Sequence, residues 1–123
     1  MSDTIDHWLD GTPWTGTGER RSPVFDPSSG AVTAEVRLAD AADVDAAVAS
    51  SRAAFGEWRA SSLSRRTSVL FELRRILSDR RDEFARVISS QHGKVRSDAA
   101  GEVQRGLEVV EFACGIPQLL KGG

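Results

Sequence analysis

The spacing of apolar residues changes period once along this chain, near residue 40. Before that point it reads as β. Trp8-Leu9 and Trp14 flank Asp10-Gly11, a pair that favours the positive φ angles of a tight hairpin turn. Pro13 cannot donate to a ladder, so the returning strand belongs at an edge or starts late. Thr15 to Ser22 is polar and glycine-bearing and reads as a loop. A second hairpin follows. Val24-Phe25 leads into a turn over Asp26-Pro27-Ser28-Ser29-Gly30, where Pro27 presets φ at the first corner and Gly30 closes it with a positive φ. Val32, Ala34, Val36 and Leu38 then alternate with Thr33, Glu35 and Arg37, giving one buried and one wet face. Two such hairpins side by side make a small antiparallel sheet.

After residue 40 the apolar positions recur at helical spacing. Asp40-Ala41-Ala42-Asp43 caps a helix, and both carboxylates suit its positive end. Val44, Val48, Phe55 and Trp58 form its stripe, and Gly56 is expected to fray or stop it. Ser61 to Ser64 is a linker with candidate caps. The next helix carries Val69, Leu70, Leu73, Ile76 and Leu77. Its stripe fails at Arg80-Arg81 and resumes at Phe84, Val87 and Ile88, which predicts a break near Ser78-Asp79 with Asp79 capping a new helix. Gly93 is placed to end that helix in the left-handed conformation. Ser97 caps a last helix with Val103, Leu107, Val110 and Cys114 on one face, and Pro117 stops it. The fold class expected for the segment is α+β: two N-terminal β-hairpins (1–38) followed by about four helices (40–117).

Composition narrows the function classes. At 123 residues the chain allows one domain at most, and its 40% hydrophobic and 28% charged residues describe a soluble globular balance. Sixteen basic against eighteen acidic residues give a net charge of −2, with no basic excess to neutralise a phosphate backbone. Nucleic acid is therefore not an expected partner. No stretch reaches the length of a membrane span and no signal-like apolar run opens the chain, so the expected setting is the cytoplasm with a reduced thiol. One cysteine and two distant histidines, His7 and His92, exclude a disulfide framework and a multi-cysteine zinc site. No metal ligands are assigned.

The residues taken by themselves show no catalytic constellation. Gly16-Thr17-Gly18 lacks a third glycine and a following helix, and reads as a plain loop, not a dinucleotide cradle. Cys114 lies on an apolar stripe near a helix C-terminus, where the dipole disfavours a thiolate, and reads as a small buried hydrophobe. His92 reads as a surface residue at a helix end. Arginine pairs such as Arg74-Arg75 and Arg80-Arg81 are interspersed with acids and read as solvated faces. Arg105 is the exception. It lies off the apolar stripe among Glu102, Glu108 and Glu111, where spacing favours an i,i+3 ion pair, yet its planar fork also suits a substrate carboxylate.

Two stretches carry a resemblance: Gln91-His92-Gly93-Lys94, and the run from Asp98 to Pro117 that contains Gly101-Glu102-Val103-Gln104-Arg105-Gly106-Leu107-Glu108-Val109-Val110-Glu111-Phe112-Ala113. Trp8-Leu9-Asp10-Gly11, the Asp26–Gly30 turn, Asp43-Val44-Asp45-Ala46-Ala47-Val48 and Ala54-Phe55-Gly56-Glu57-Trp58 agree with it, in order. Together they resemble the N-terminal region of the aldehyde dehydrogenase superfamily, and most closely its CoA-acylating methylmalonate-semialdehyde branch. Gln91 departs from the acidic residue usual before Gly-Lys.

The resemblance implies a large α/β enzyme, a homo-oligomer using NAD and CoA on a small semialdehyde, in which residues 1–123 are the N-terminal part of the cofactor-binding domain. In that family a cysteine thiolate attacks the aldehyde, hydride passes to NAD, and CoA takes the acyl group after a malonyl-type carboxylate is lost. The nucleophilic cysteine, the oxyanion-hole asparagine and the nucleotide loop are expected beyond Gly123. The chain alone is therefore expected to be inactive and to bind neither NAD nor CoA, with no catalytic or cofactor-binding residue of its own. Arg105 matches the motif arginine that is a candidate for holding the substrate carboxylate. A fragment of a non-acylating aldehyde dehydrogenase, and a small stand-alone interaction protein derived from such an enzyme, are the alternative readings.

Overall fold

The computed structural model describes residues 3–121. The chain divides into two compact units, one up to Arg59 and one from Ala60 onward.

In the first unit, β2 (His7–Leu9) and β3 (Thr12–Trp14) form the first hairpin, and β4 (Arg21–Phe25) and β5 (Val32–Arg37) form the second. Asp10 and Gly11 both have positive φ, 52° and 78°, as the hairpin turn requires. Asp26 organises the second turn: its side chain accepts the Ser28 N–H and hydroxyl, both at 2.7 Å, and its carbonyl accepts the Gly30 N–H at 2.8 Å. The hairpins do not share a sheet. The first stands as a two-stranded sheet by itself. The second gains a third strand, β1 (Asp3–Ile5), which pairs in parallel with β5 to give the order β1-β5-β4. Three residues are too few to show a period, so this strand had no signature in the sequence. An ion pair between Asp6 and Arg37, 2.5 Å, ties the end of β1 to β5.

Helix α1 (Ala41–Ala60) opens on a reciprocal cap. The Asp43 N–H donates to Asp40 Oδ1 at 2.9 Å, and the Asp40 N–H donates to Asp43 Oδ2 at 3.0 Å. The helix runs through Gly56, where a stop was expected; one interior glycine costs about 1 kcal/mol and does not by itself end a helix. Its apolar stripe is exposed, with Val44, Val48 and Phe55 each at least half accessible.

The second unit is helical: α2 (Leu63–Asp79), α3 (Arg81–His92), α4 (Arg96–Cys114) and a short α5 (Ile116–Leu119). Ser62 caps α2, its hydroxyl accepting the Arg65 N–H at 3.2 Å. The predicted break separates α2 from α3 at Arg80. Asp79 does not cap α3, because its carboxylate is engaged by Arg75 at 2.6 Å. Gly93 ends α3 with φ 82°. α4 begins at Arg96, after an extended Val95, so Ser97 lies inside it and is not its cap. Pro117 sits in the first turn of α5 and starts that helix; α4 has already ended at Cys114. Both α2 and α3 pack on α4. The core is small, with Ala85, Ala99 and Val103 at its centre and Phe84, Ile88 and Ala100 around them. Alanine at both α3 and α4 positions lets the backbones approach closely. Arg74 of α2 reaches Glu111 of α4 at 2.5 Å.

No helix among the described residues is long and apolar enough to cross a membrane.

Candidate functional site

The two motif stretches meet at the turn between α3 and α4. The left-handed Gly93 donates its N–H to Ser89 O at 2.8 Å and turns the chain out of α3. Lys94 follows, and Val95 enters α4. Lys94 folds back along that helix and its ammonium forms an ion pair with Glu102. The Lys94 hydrogen bond and charge, with His92 and Arg105 nearby, hold the Glu102 carboxyl below its ordinary value.

Arg105 stands one turn beyond Glu102, exposed on the outer side of α4. The i,i+3 ion pair favoured by spacing is not formed. Glu102 is held by Lys94, and Glu108 accepts from Gln104 Nε2 at 3.2 Å. Among the described residues no carboxylate lies within ion-pair distance of the Arg105 guanidinium, so its fork is open to an anion from outside. Gly106 and Gly101 beside it would add a Cβ into open space. Val109 and Phe112, at i+4 and i+7 from Arg105, continue the same face and are about 70% exposed. This arrangement can bind a carboxylate but contains no nucleophile. Cys114 is half-buried at the last residue of α4, less enclosed than expected, and the carbonyl end of the helix opposes a thiolate there. His92 is exposed at the end of α3.

Gly16-Thr17-Gly18 is a loop with a defined task that its spacing did not announce. The Thr17 N–H donates to Asp43 Oδ1 at 2.6 Å and the Gly18 N–H to Oδ2 at 3.0 Å. The Thr17 hydroxyl adds a bond at 3.0 Å. Asp43 is 2% exposed. The Thr17 and Asp40 N–H groups, then the Thr17 hydroxyl and Gly18 N–H, hold its carboxyl far below the ordinary range against the cost of burial. The glycines are there for the carboxylate: a Cβ on Gly16 would lie 2.7 Å from Asp43 Oδ1.

That loop is not a free phosphate cradle. A pyrophosphate needs free backbone N–H groups at a helix N-terminus, and here the N–H groups are spent on the chain's own anion. The described residues contain no group of three or more histidine, cysteine or acidic side chains placed to hold a metal ion.

Residues 14–123 match the aldehyde dehydrogenase family model. Malonate-semialdehyde dehydrogenase 3 of Geobacillus kaustophilus is 42% identical over 119 residues, which is 97% of this chain and 25% of that protein. A Sinorhizobium meliloti 1021 protein assigned as a methylmalonate-semialdehyde dehydrogenase, solved with NAD, superposes with a TM-score of 0.92 at 42% identity, over 97% of this chain and 24% of its own. Methylmalonate-semialdehyde dehydrogenase of Oceanimonas doudoroffii gives a TM-score of 0.93 at 38% identity, over 98% and 25%. The chain thus spans about a quarter of the length of the relatives it matches.

Proposed function

The chain belongs to the aldehyde dehydrogenase family, and on that premise we propose that it is the N-terminal portion of a CoA-acylating dehydrogenase for malonate or methylmalonate semialdehyde. NAD and CoA serve the intact enzyme, a homo-oligomer, and the products are acetyl-CoA or propionyl-CoA, CO2 and NADH. Both units of the chain are assigned to the cofactor-binding domain, as scaffold and not as nucleotide contact. Their own chemical contribution is recognition of the substrate carboxylate by Arg105.

One observation carries this reading. The α4 run that resembles the semialdehyde branch carries Arg105 on its outer side, with no carboxylate among the described residues within ion-pair distance of it. A malonyl-type aldehyde differs from a plain aldehyde by one carboxylate, and a planar two-point donor is the side chain suited to hold it.

The 123-residue polypeptide by itself is inactive: its one thiol is at the wrong end of a helix, and its glycine loop is occupied. Incubating it with methylmalonate semialdehyde, NAD and CoA yields no NADH; NADH formation would overturn this reading. In the intact enzyme that carries this chain, Arg105→Ala raises KM for methylmalonate semialdehyde about tenfold or more, the size of a lost charge-assisted pair, and leaves KM for propanal little changed. Equal effects on both aldehydes would remove the carboxylate role. NADH formation that proceeds equally without CoA would favour a non-acylating enzyme.

A further inference from the structure

The open guanidinium of Arg105 needs an explanation, because α4 offers it two acids one turn away in either direction. Glu102 lies at i−3 and Glu108 at i+3, both at spacings that form ion pairs on an exposed helix. Neither pairs with it. Gln104 bonds Glu108, but that amide carries no charge. Glu102 forms its ion pair with a charge from outside the helix, while Arg105 acts on it only through its field, beyond ion-pair distance. Lys94 supplies that charge from the α3–α4 turn, and its side chain is only 19% exposed against 41% for Glu102. The ammonium is thus enclosed against the helix. The left-handed Gly93 sets the direction of approach.

We propose that Lys94 is a positioning residue for substrate recognition: by occupying Glu102 it keeps Arg105 from closing on its own helix, so that the guanidinium stays available to the carboxylate of the aldehyde. This rests on the carboxylate-holding role given to Arg105 above. Lysine suits the task because its compact ammonium satisfies one oxygen of Glu102 without needing a planar partner, whereas the fork of Arg105 is worth most on a two-oxygen anion. Without Lys94, the nearest cation on α4 to which Glu102 can turn is Arg105 itself. The substrate would then compete with an internal carboxylate for the same five donors.

Two measurements test this. The first uses the 123-residue chain and nitrogen-15 NMR of the arginine side chains. In the wild type the Arg105 guanidinium rotates freely. Lys94→Gln slows that rotation as Glu102 captures it, and Lys94→Gln with Glu102→Gln restores it. Free rotation in K94Q, with its circular dichroism unchanged, would overturn the proposal. The second uses the intact enzyme. K94Q raises KM for methylmalonate semialdehyde about twofold relative to propanal, the scale of one exposed i,i+3 pair, and the double variant returns the ratio to the wild-type value. Should K94Q not fold, Glu102→Gln alone carries the test: with the acid that Lys94 restrains removed and Glu108 still bonded to Gln104, the KM ratio stays at the wild-type value, and a twofold rise would overturn the proposal. The two readings separate cleanly. If Arg105→Ala leaves the KM ratio unchanged, the carboxylate role of Arg105 is what fails. If Arg105→Ala shifts the ratio and K94Q does not, Lys94 alone is wrongly assigned.

Discussion

Gly18 and Gly56 make opposite predictions from the same substitution. A Cβ on Gly18 would lie 2.6 Å from the carbonyl oxygen of Leu38 and 2.9 Å from Asp43 Oδ2. Ordinary carbon–oxygen contacts begin near ~3.3 Å, so the Leu38 carbonyl, which is backbone, must retreat by roughly 0.7 Å on that scale. Overpacking of this kind costs about 1–3 kcal/mol. The same retreat pulls on the Gly18 N–H that serves Asp43. Gly56 lies inside α1, and a Cβ there would meet nothing within 4 Å. Replacing it gains the helix propensity of alanine, about 0.5–1 kcal/mol. For a unit of this size each kcal/mol moves the midpoint by about 4–8 °C. Gly18→Ala should therefore melt at least about 4 °C below the wild type, and Gly56→Ala a few degrees above it. Thermal unfolding followed by circular dichroism at several protein concentrations reads both. Wild-type melting of G18A would refute the close approach of Gly18 to Leu38; a lowered midpoint in G56A would refute an open α1 face.

Two further outcomes follow from the same contacts. The Asp43 carboxyl is bonded in its charged form, so its folded pKa lies below the unfolded value near 3.8; the stability it contributes is complete above that pH and is lost as the pH falls further. Asp43→Asn should weaken the first unit at neutral pH and flatten the acid limb of its stability curve, and an unchanged acid limb in a pH series of urea melts would count against the bonding. Val44, Val48 and Phe55 on α1, and Val109 and Phe112 on α4, are half or more exposed. The isolated chain should self-associate through such faces, and a monomer at all concentrations in analytical ultracentrifugation would contradict this.

Local chemistry was legible wherever one residue type has one conformational consequence. Asp10-Gly11, Gly30 and Gly93 adopt the positive φ angles their places demand, and Asp40 and Asp43 cap α1 as two acids before an apolar run should. Several misses depended on a partner distant in sequence, whereas Asp79, Gly56, Ser97 and Pro117 were decided within a turn or two of helix. The separate sheets and β1 were settled by which strand β5 pairs with. Asp79 lost its capping role to Arg75. The ion pair expected between Arg105 and Glu102 is not formed, and Glu102 is instead engaged by Lys94, eight residues earlier and across a turn. Gly16-Thr17-Gly18 looked like filler because the group it receives is Asp43. The family resemblance was visible in the α4 run, since a motif is a local string even when its purpose is tertiary.

The two prolines that lie within strands limit how copies of this chain can join. Pro23 sits in β4, an outer strand of the three-stranded sheet, and Pro13 in β3 of the hairpin. A proline is accommodated on a boundary strand with its nitrogen turned from the ladder, so it leaves a gap in the row of donors that an incoming strand would need. Templated growth of cross-β fibrils is thus disfavoured along the β3 and β4 edges, and the opposite edges, β1 and β2, are only three residues long. Clusters formed by the isolated polypeptide should stay α-helical in spectrum, reversible on dilution, and blind to thioflavin dyes.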